Sequence, residues 1–285
     1  MRKKSFLLVL ALLLCTSLLF GCTKNTEPVK QDSDKEAQQS SEKVEKSKEL
    51  VVGMSLDFPP FETTDANGKP TGVGVDMAYD LGKSLGRDIR IENIARSGLI
   101  PALQTKKIDM IISSMTITAE RQKTIDFSKP YAKGWMALLI NKNSPVQDVN
   151  DLNVKGRKIA VHKGTIAYNY AQEHLQNAEV LLFDDVNTCM LEVIQGKADA
   201  MIYDQITVYD TWKQNPDTTR VNLSPIDDKL NWGVGIRKED KELTAQVNAF
   251  IDDYKQQGGF DKLADKYLSE KKKTFAELGI PFFFD

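Results

Sequence analysis

Arg121 stands where the backbone disfavours it. The stretch SSMTITAERQKTIDFS, residues 113–128, follows the apolar run IDMIISS and opens with hydroxyls at Ser113, Ser114, Thr116 and Thr118. The pattern predicts a helix starting after Thr118, with Arg121 in its first turn. A helix dipole favours negative charge at that end, so a guanidinium there is slightly unfavourable by itself. It becomes favourable once an anion arrives, because unpaired N–H groups and a planar guanidinium fork both donate to a carboxylate. The plainer alternative is a solvated arginine paired with Glu120 or Asp126.

Other reactive groups are sparse. His162, in HKGT, could do acid–base work beside a carboxylate, but the chain offers no second catalytic group, no nucleophile elbow and no metal-ligand spacing. GVGVD lacks the G-x-G-x-x-G spacing of a dinucleotide site. No catalytic residue, metal or cofactor is therefore expected. A net charge of −2 and a pI near 5.9 argue against nucleic acid, which needs a basic surface.

The elements that must hold these residues alternate. Leu50–Met54 reads as a short apolar strand, and DFPPFE as a rigid loop, since Pro59 and Pro60 exclude a helix there. GVDMAYDLGKSLG has helical spacing and Gly86 as its stop. DIRIENI alternates as a strand, GLIPALQTKK reads as a helix, and IDMIISS as a buried strand. The rhythm restarts at RKIAVHKGT (strand), IAYNYAQEHL (helix), AEVLLFD (strand), NTCMLEVIQGK (helix) and ADAMIYD (strand). LNWGVGIRK reads as one further strand. The segment from Asp240 to Leu268 is helical, broken at Gly258–Gly259. Such alternation predicts an α/β fold with largely parallel sheets, arranged as two units.

The N-terminus is separate. Arg2, Lys3 and Lys4 precede an apolar run from Phe6 to Phe20, too short for the roughly 20 residues of a membrane-spanning helix. It reads as a secretory signal, residues 1–21. LFGC, Leu19–Cys22, resembles the lipobox of bacterial lipoproteins, although Phe20 is larger than the residue usual there. That resemblance implies acyl chains, palmitate among them, on Cys22 and a membrane anchor. Removing the signal takes away three cations and no anion, leaving −5. Residues 22–48 carry almost no apolar side chains and are expected to form a disordered tether after the lipidated Cys. Cys15 leaves with the signal, so Cys189 is the one thiol left and no intramolecular disulfide is expected.

Several blocks in order, LVVGMSLDFPPFE, GVGVDMAYDL, GLIPALQTKKIDMIISSMTITAERQKTIDFSKPY, IAVHKGT, ADAMIYD and WGVGIRK, resemble the polar amino acid-binding components of ABC importers, over roughly residues 49–270. These are extracellular solute-binding proteins of the periplasmic-binding-protein-like class. The resemblance implies a type II fold of two hinged lobes, each a mixed, mostly parallel sheet flanked by helices. Lobe I would comprise residues 49–131 and 233–285, lobe II residues 136–227, and the hinge residues 132–135 and 228–232.

By the same resemblance Arg121 clamps a ligand carboxylate and Thr116 bonds it through hydroxyl and N–H. Ser114, with Ser113, faces the α-ammonium, and Asp204 neutralises that ammonium from the other lobe. Backbone N–H groups at Thr165 and Ile166 give a second grip, His162 is placed near the ligand side chain, and Phe58 packs against it. The expected partners are a free L-amino acid, an ABC permease and, through Cys22, a membrane. The protein would act outside the cytoplasm as a monomer.

Two positions depart from the pattern. Ser55 stands where receptors for basic amino acids commonly carry Asp, so a buried cationic side chain would lack a partner. Arg96 stands where many relatives have an aromatic wall, and it adds positive charge near the ligand side chain. Both favour a neutral polar or acidic ligand over a basic one. The rival functions are a sensing module for a signalling partner and a cleft-based dehydratase. The tail TFAELGIPFFFD lies outside the resemblance, and its three phenylalanines are expected to be buried against a lobe or to form a docking surface.

Overall fold

The computed structural model describes residues 49–284. The signal at 1–21, Cys22 and the tether to residue 48 lie outside the described residues. Among the described residues, no helix is long and apolar enough to cross a membrane.

The chain opens with β1 (Glu49–Met54), a small hairpin of β2 (Thr63–Thr64) and β3 (Pro70–Thr71), α1 (Val73–Leu85), β4 (Asp88–Asn93), α2 (Leu99–Gln104), β5 (Met110–Ile111), α3 (Ala119–Gln122) and β6 (Ile125–Phe127). Helix α1 buries Val73, Met77, Ala78 and Leu81, spacings that put them on one face. It ends where Gly86 turns left-handed, φ 63°, and returns its N–H to the carbonyls of Gly82 and Lys83, the usual helix stop.

The second half continues with β7 (Ala132–Asn141), β8 (Lys158–His162), α4 (Ile166–His174), β9 (Glu179–Phe183), α5 (Val186–Ile194), β10 (Ala200–Asp204), α6 (Gln205–Gln214) and β11 (Thr219–Trp232). It closes with β12 (Gly235–Arg237), α7 (Lys241–Gln256), α8 (Gly259–Tyr267) and α9 (Ser269–Glu277).

Two five-stranded sheets result, in the orders β4-β1-β5-β12-β6 and β11-β7-β10-β8-β9. They are the cores of lobes I and II. Each sheet is mixed. In the first, β1 runs parallel to β4 and β5 while β12 runs antiparallel to β5 and β6. In the second, β8 runs parallel to β9 and β10 while β7 runs antiparallel to β10 and β11. The parallel share is smaller than the crossover rhythm implies, because the strands that carry the chain out of one sheet and back enter antiparallel. LNWGVGIRK is accordingly two strands: β11 ends at Trp232 in the second sheet and β12 begins at Gly235 in the first. The two crossings are paired to each other, Leu230 opposite Gly134 and Trp232 opposite Ala132.

The C-terminal segment is buried as expected. Phe283 is 1% exposed and packs on Phe61 and Trp232, with ring centres 4.9 and 5.6 Å away. Its carbonyl accepts the N–H of Lys133, at the first crossing, at 2.8 Å. Helix α9 also reaches the second lobe, where Lys271 pairs with Asp210 of α6.

Candidate functional site

A cavity of about 60 Å³ lies where the ends of β5, β8 and β10 meet the crossings. Phe58, Arg96, Ser114, Thr116 and Arg121 line it from the first lobe; Thr165, Ile166, Ala167, Tyr203 and Asp204 line it from the second; Gly134, Trp135, Met136, Leu230 and Trp232 line it from the crossings. A water needs about 10–15 Å³ by this measure, so the space suits one small molecule.

The first-lobe side is cross-braced. Helix α3 is a single turn capped by Thr118, whose Oγ1 accepts the N–H of Arg121 at 3.2 Å. One turn carries little of a full helix dipole, so the repulsion expected against Arg121 is slight. Its Nη1 donates to Thr116 O at 2.7 Å, and its Nη2 crosses to Gly164 O of the second lobe at 3.0 Å. Burial first, and Arg96 second, hold the guanidinium down to about 10, still charged at neutral pH. Arg96 is 7% exposed. Its Nη2 donates to Ser113 O at 3.2 Å, while its Nε is buried without a hydrogen-bond partner. Ser114 adopts φ +45°, a left-handed conformation uncommon outside glycine. Phe58 stacks on Phe61 at 4.9 Å and meets Tyr203 and Trp232 edge-on.

The second-lobe side has fewer bonds. Asp204 ends β10 and caps α6, its Oδ1 accepting the N–H of Ile206 at 2.8 Å. Burial pushes its carboxyl up to about 7, so a cation in the cavity would find a group ready to ionise beside it. Helix α4 begins at the cavity wall, capped by Thr165, whose own hydroxyl is turned to His162 O at 2.7 Å. The first N–H groups of α4 therefore open on the cavity side, the end where a helix favours an anion. Gly164, at φ +78°, allows a close approach between lobes: a Cβ there would lie 2.8 Å from Ser97 Cα. Asn169 reaches Glu120 across the same gap at 3.3 Å.

Eight of the residues expected from the sequence meet at this cavity: Arg121, Thr116, Ser114, Asp204, Phe58, Arg96, Thr165 and Ile166. Three lie behind it. Ser113 is fully buried and its Oγ accepts the N–H of Ser55 at 3.0 Å. Ser55 donates to Asp57 at 2.8 Å, so a carboxylate stands next to the position where the sequence shows a neutral residue. His162 is buried, bonded to Asp184 O at 3.1 Å and 3.7 Å from Asp57, with burial holding its pKa down.

The sequence reading missed Trp135, Tyr203 and Trp232. Tyr203 and Trp232 stand in the matched blocks AMIYD and WGVGIRK, and their aromatic character beside Asp204 and Gly233 was the available signal. It also missed Glu62, a fully buried carboxyl behind Ser114, visible only as an acid within the apolar FPPFE run.

A larger hollow of about 670 Å³ lies on the outer face of α1 and β4. Its carboxylates are already engaged, Asp80 by Lys83 and Tyr254 and Asp76 by Lys266 and Tyr267. Among the described residues no cluster of His, Cys, Asp or Glu could hold a metal ion.

Comparison with known proteins converges on one family. The family model described as bacterial extracellular solute-binding proteins, family 3, matches residues 50–270. The L-cystine-binding protein TcyJ of Escherichia coli strain K12 is 30% identical over 79% of this chain and 85% of its own length. The lysine/arginine/ornithine-binding periplasmic protein of the same organism is 31% identical over 76% of this chain and 86% of its own. Among solved structures, a P235GK mutant of ArgBP from T. maritima superposes with a TM-score of 0.72 at 36% identity, covering 78% of this chain and 96% of that one.

Proposed function

The chain belongs to the bacterial extracellular solute-binding proteins, family 3, and from that premise we propose that it captures a free L-amino acid outside the cytoplasm and delivers it to an ABC permease. One observation carries the amino-acid reading: Arg121 from one lobe and Asp204 from the other, opposite in charge, line the same small cavity. An amino acid is the small metabolite that needs both. Its carboxylate competes for the Arg121 fork now spent on two carbonyls, aided by Thr116 and the first N–H groups of α4. Its ammonium pairs with Asp204 and the Ser114 carbonyl, with Ser113 behind. Desolvated charges demand such partners.

Because the two anchors sit on different lobes, both are satisfied together only when the lobes are closed, and ligand thereby favours closure. Residues 132–135 and 228–232, paired along the crossings, are the proposed hinge. Micromolar affinity requires about 8 kcal/mol, of which charge-assisted bonds of roughly 1.5–3 kcal/mol each can supply much.

Two guanidiniums and one carboxyl line the cavity, which supports a neutral polar or acidic side chain over a basic one. Asp57 behind Ser55 weakens that preference without cancelling it, since a cationic side chain in the cavity would still meet the like charge of Arg96 in its lining. The related cystine and lysine/arginine/ornithine receptors differ in ligand class, so the preference rests on Arg96. Calorimetric titration with the twenty L-amino acids and L-cystine tests it: glutamine, glutamate, aspartate or cystine should bind, and tight lysine or arginine binding with silence from those four overturns it. The N-terminal segment supports lipid anchoring through Cys22, and a Cys22→Ala chain that stays with the membrane fraction would sink that part.

A further inference from the structure

We propose that Glu62 is a positioning residue for this site: paired with Ser114 behind the cavity wall, it holds that serine in place and ties ligand uptake to the release of a proton. The inference rests on the amino-acid reading above, because an ammonium beside Ser114 is what would displace the proton.

The geometry comes first. Ser114 Oγ lies 3.1 and 3.0 Å from the two carboxyl oxygens of Glu62. A serine hydroxyl has one proton to give. Two near-equal contacts are met more fully with a second proton than by one shared proton, and a protonated carboxyl supplies it: the hydroxyl donates to one oxygen while the acid O–H donates back to Oγ. The pair is fully buried, Glu62 at 1% and Ser114 at 5% exposure. It has no room to shift, since a Cβ at Gly74 of α1 would lie 2.3 Å from Glu62 Oε1. Ser114 is also the cavity-lining residue held at φ +45°, a conformation that persists only where the surroundings impose it. The hydrogen-bonded ring with Glu62 imposes it.

The electrostatics agree. Burial pushes the Glu62 carboxyl up to about 8, with Asp57 adding to the rise and Arg96 and the Ser114 hydroxyl opposing it. Tyr131, from the segment before β7, is buried beside it and is itself pushed upward by burial and by Glu62. Gly74 is the contact from α1 and brings no charge. Among the described residues, the cation that acts on Glu62 is Arg96. An ammonium arriving at Ser114 adds a second positive charge, favours the carboxylate, and sends the proton to solvent. Affinity should then rise with pH until Glu62 is already ionised.

The test uses the full chain and two variants. Glu62→Gln keeps the ring, because an amide both donates to Oγ and accepts from it, but cannot titrate. Glu62→Ala removes it. Without ligand, the sign is fixed by a native pKa of about 8 above an ordinary 4.5: the stabilisation is whole below about 4.5 and is lost as pH rises through about 8. The melting temperature of the wild type should therefore fall, relative to Glu62→Gln, between pH 5 and 9.

With the twenty L-amino acids and L-cystine as probes, calorimetry of whichever bind, in two buffers of different ionisation enthalpy, should show wild type releasing about half a proton more than Glu62→Gln at pH 8. At pH 6.5 the Gln variant should bind within about twofold of wild type and the Ala variant about tenfold more weakly. Parallel melting profiles, or equal proton release by wild type and Glu62→Gln, overturn the role of Glu62 while leaving the amino-acid reading intact. No binding by any probe overturns both.

Discussion

The two walls of the cavity are built differently. On the first lobe nearly every polar group is tied down: Arg121 by Thr116 O, Arg96 by Ser113 O, Ser113 by Ser55, Ser114 by Glu62. On the second lobe Asp204 holds a single backbone bond as a helix cap, Thr165 bonds only within its own loop, and Tyr203 and the start of α4 complete the wall. A braced surface loses little freedom when a ligand lands on it. A sparse one contributes by arriving later, when the lobes shut. Under the proposed function the contrast predicts an order: an amino acid docking first on the first lobe, with the second lobe closing over it.

The largest expected effect tests the braced wall. Arg121→Ala should weaken binding at least about a hundredfold, as loss of a charge-assisted fork does, and mostly in the open-state encounter. Titration of the variant checks the affinity, and near-normal binding would discredit the whole assignment.

Asp204→Asn should cost about tenfold and act on closure. It also changes the pH profile. The wild-type carboxyl, at about 7 without ligand, must lose its proton to pair with an ammonium, so wild-type affinity should fall as pH drops below 7. The Asn variant should show a shallower fall between pH 5.5 and 7, keeping only the part that Glu62 contributes, and an unchanged slope would place Asp204 outside the ligand's reach.

The smallest effect sharpens the interface itself. Gly164→Ala forces a left-handed φ and a Cβ against Ser97. The left-handed strain acts in both forms, but the clash with Ser97 arises only when the lobes are closed, so affinity should fall by about threefold to tenfold, roughly 0.7–1.4 kcal/mol. Small-angle scattering would show it as a smaller ligand-induced compaction; compaction equal to wild type would mean that the Gly164–Ser97 contact does not limit closure.

The same contrast explains what was legible in the sequence. Strand and helix positions followed from apolar periodicity and glycine stops, so β1, α1, β8 and the break at Gly258–Gly259 fall where expected. Helix α6 was missed because its start, Asp204, reads equally well as a strand end or as a cap; only the tertiary fold makes it both. IDMIISS shrinks to the two-residue β5 because its later residues turn away to build the cavity wall. The charged contacts were readable through family blocks that place Arg121 and Asp204. The bracing behind them was not: Glu62 meets Ser114 across 52 residues of sequence, and no local pattern signals a partner at that distance. Ser55, Ser113 and His162 belong to the same blocks, and only packing shows that they stand one layer behind the cavity lining.

Phe283 comes after every strand and helix of the described residues in chain order, yet it seats against Trp232 and Phe61 and closes the aromatic cluster that backs Phe58. A polypeptide delivered from its N-terminus onward must wait for this ring before that cluster is complete.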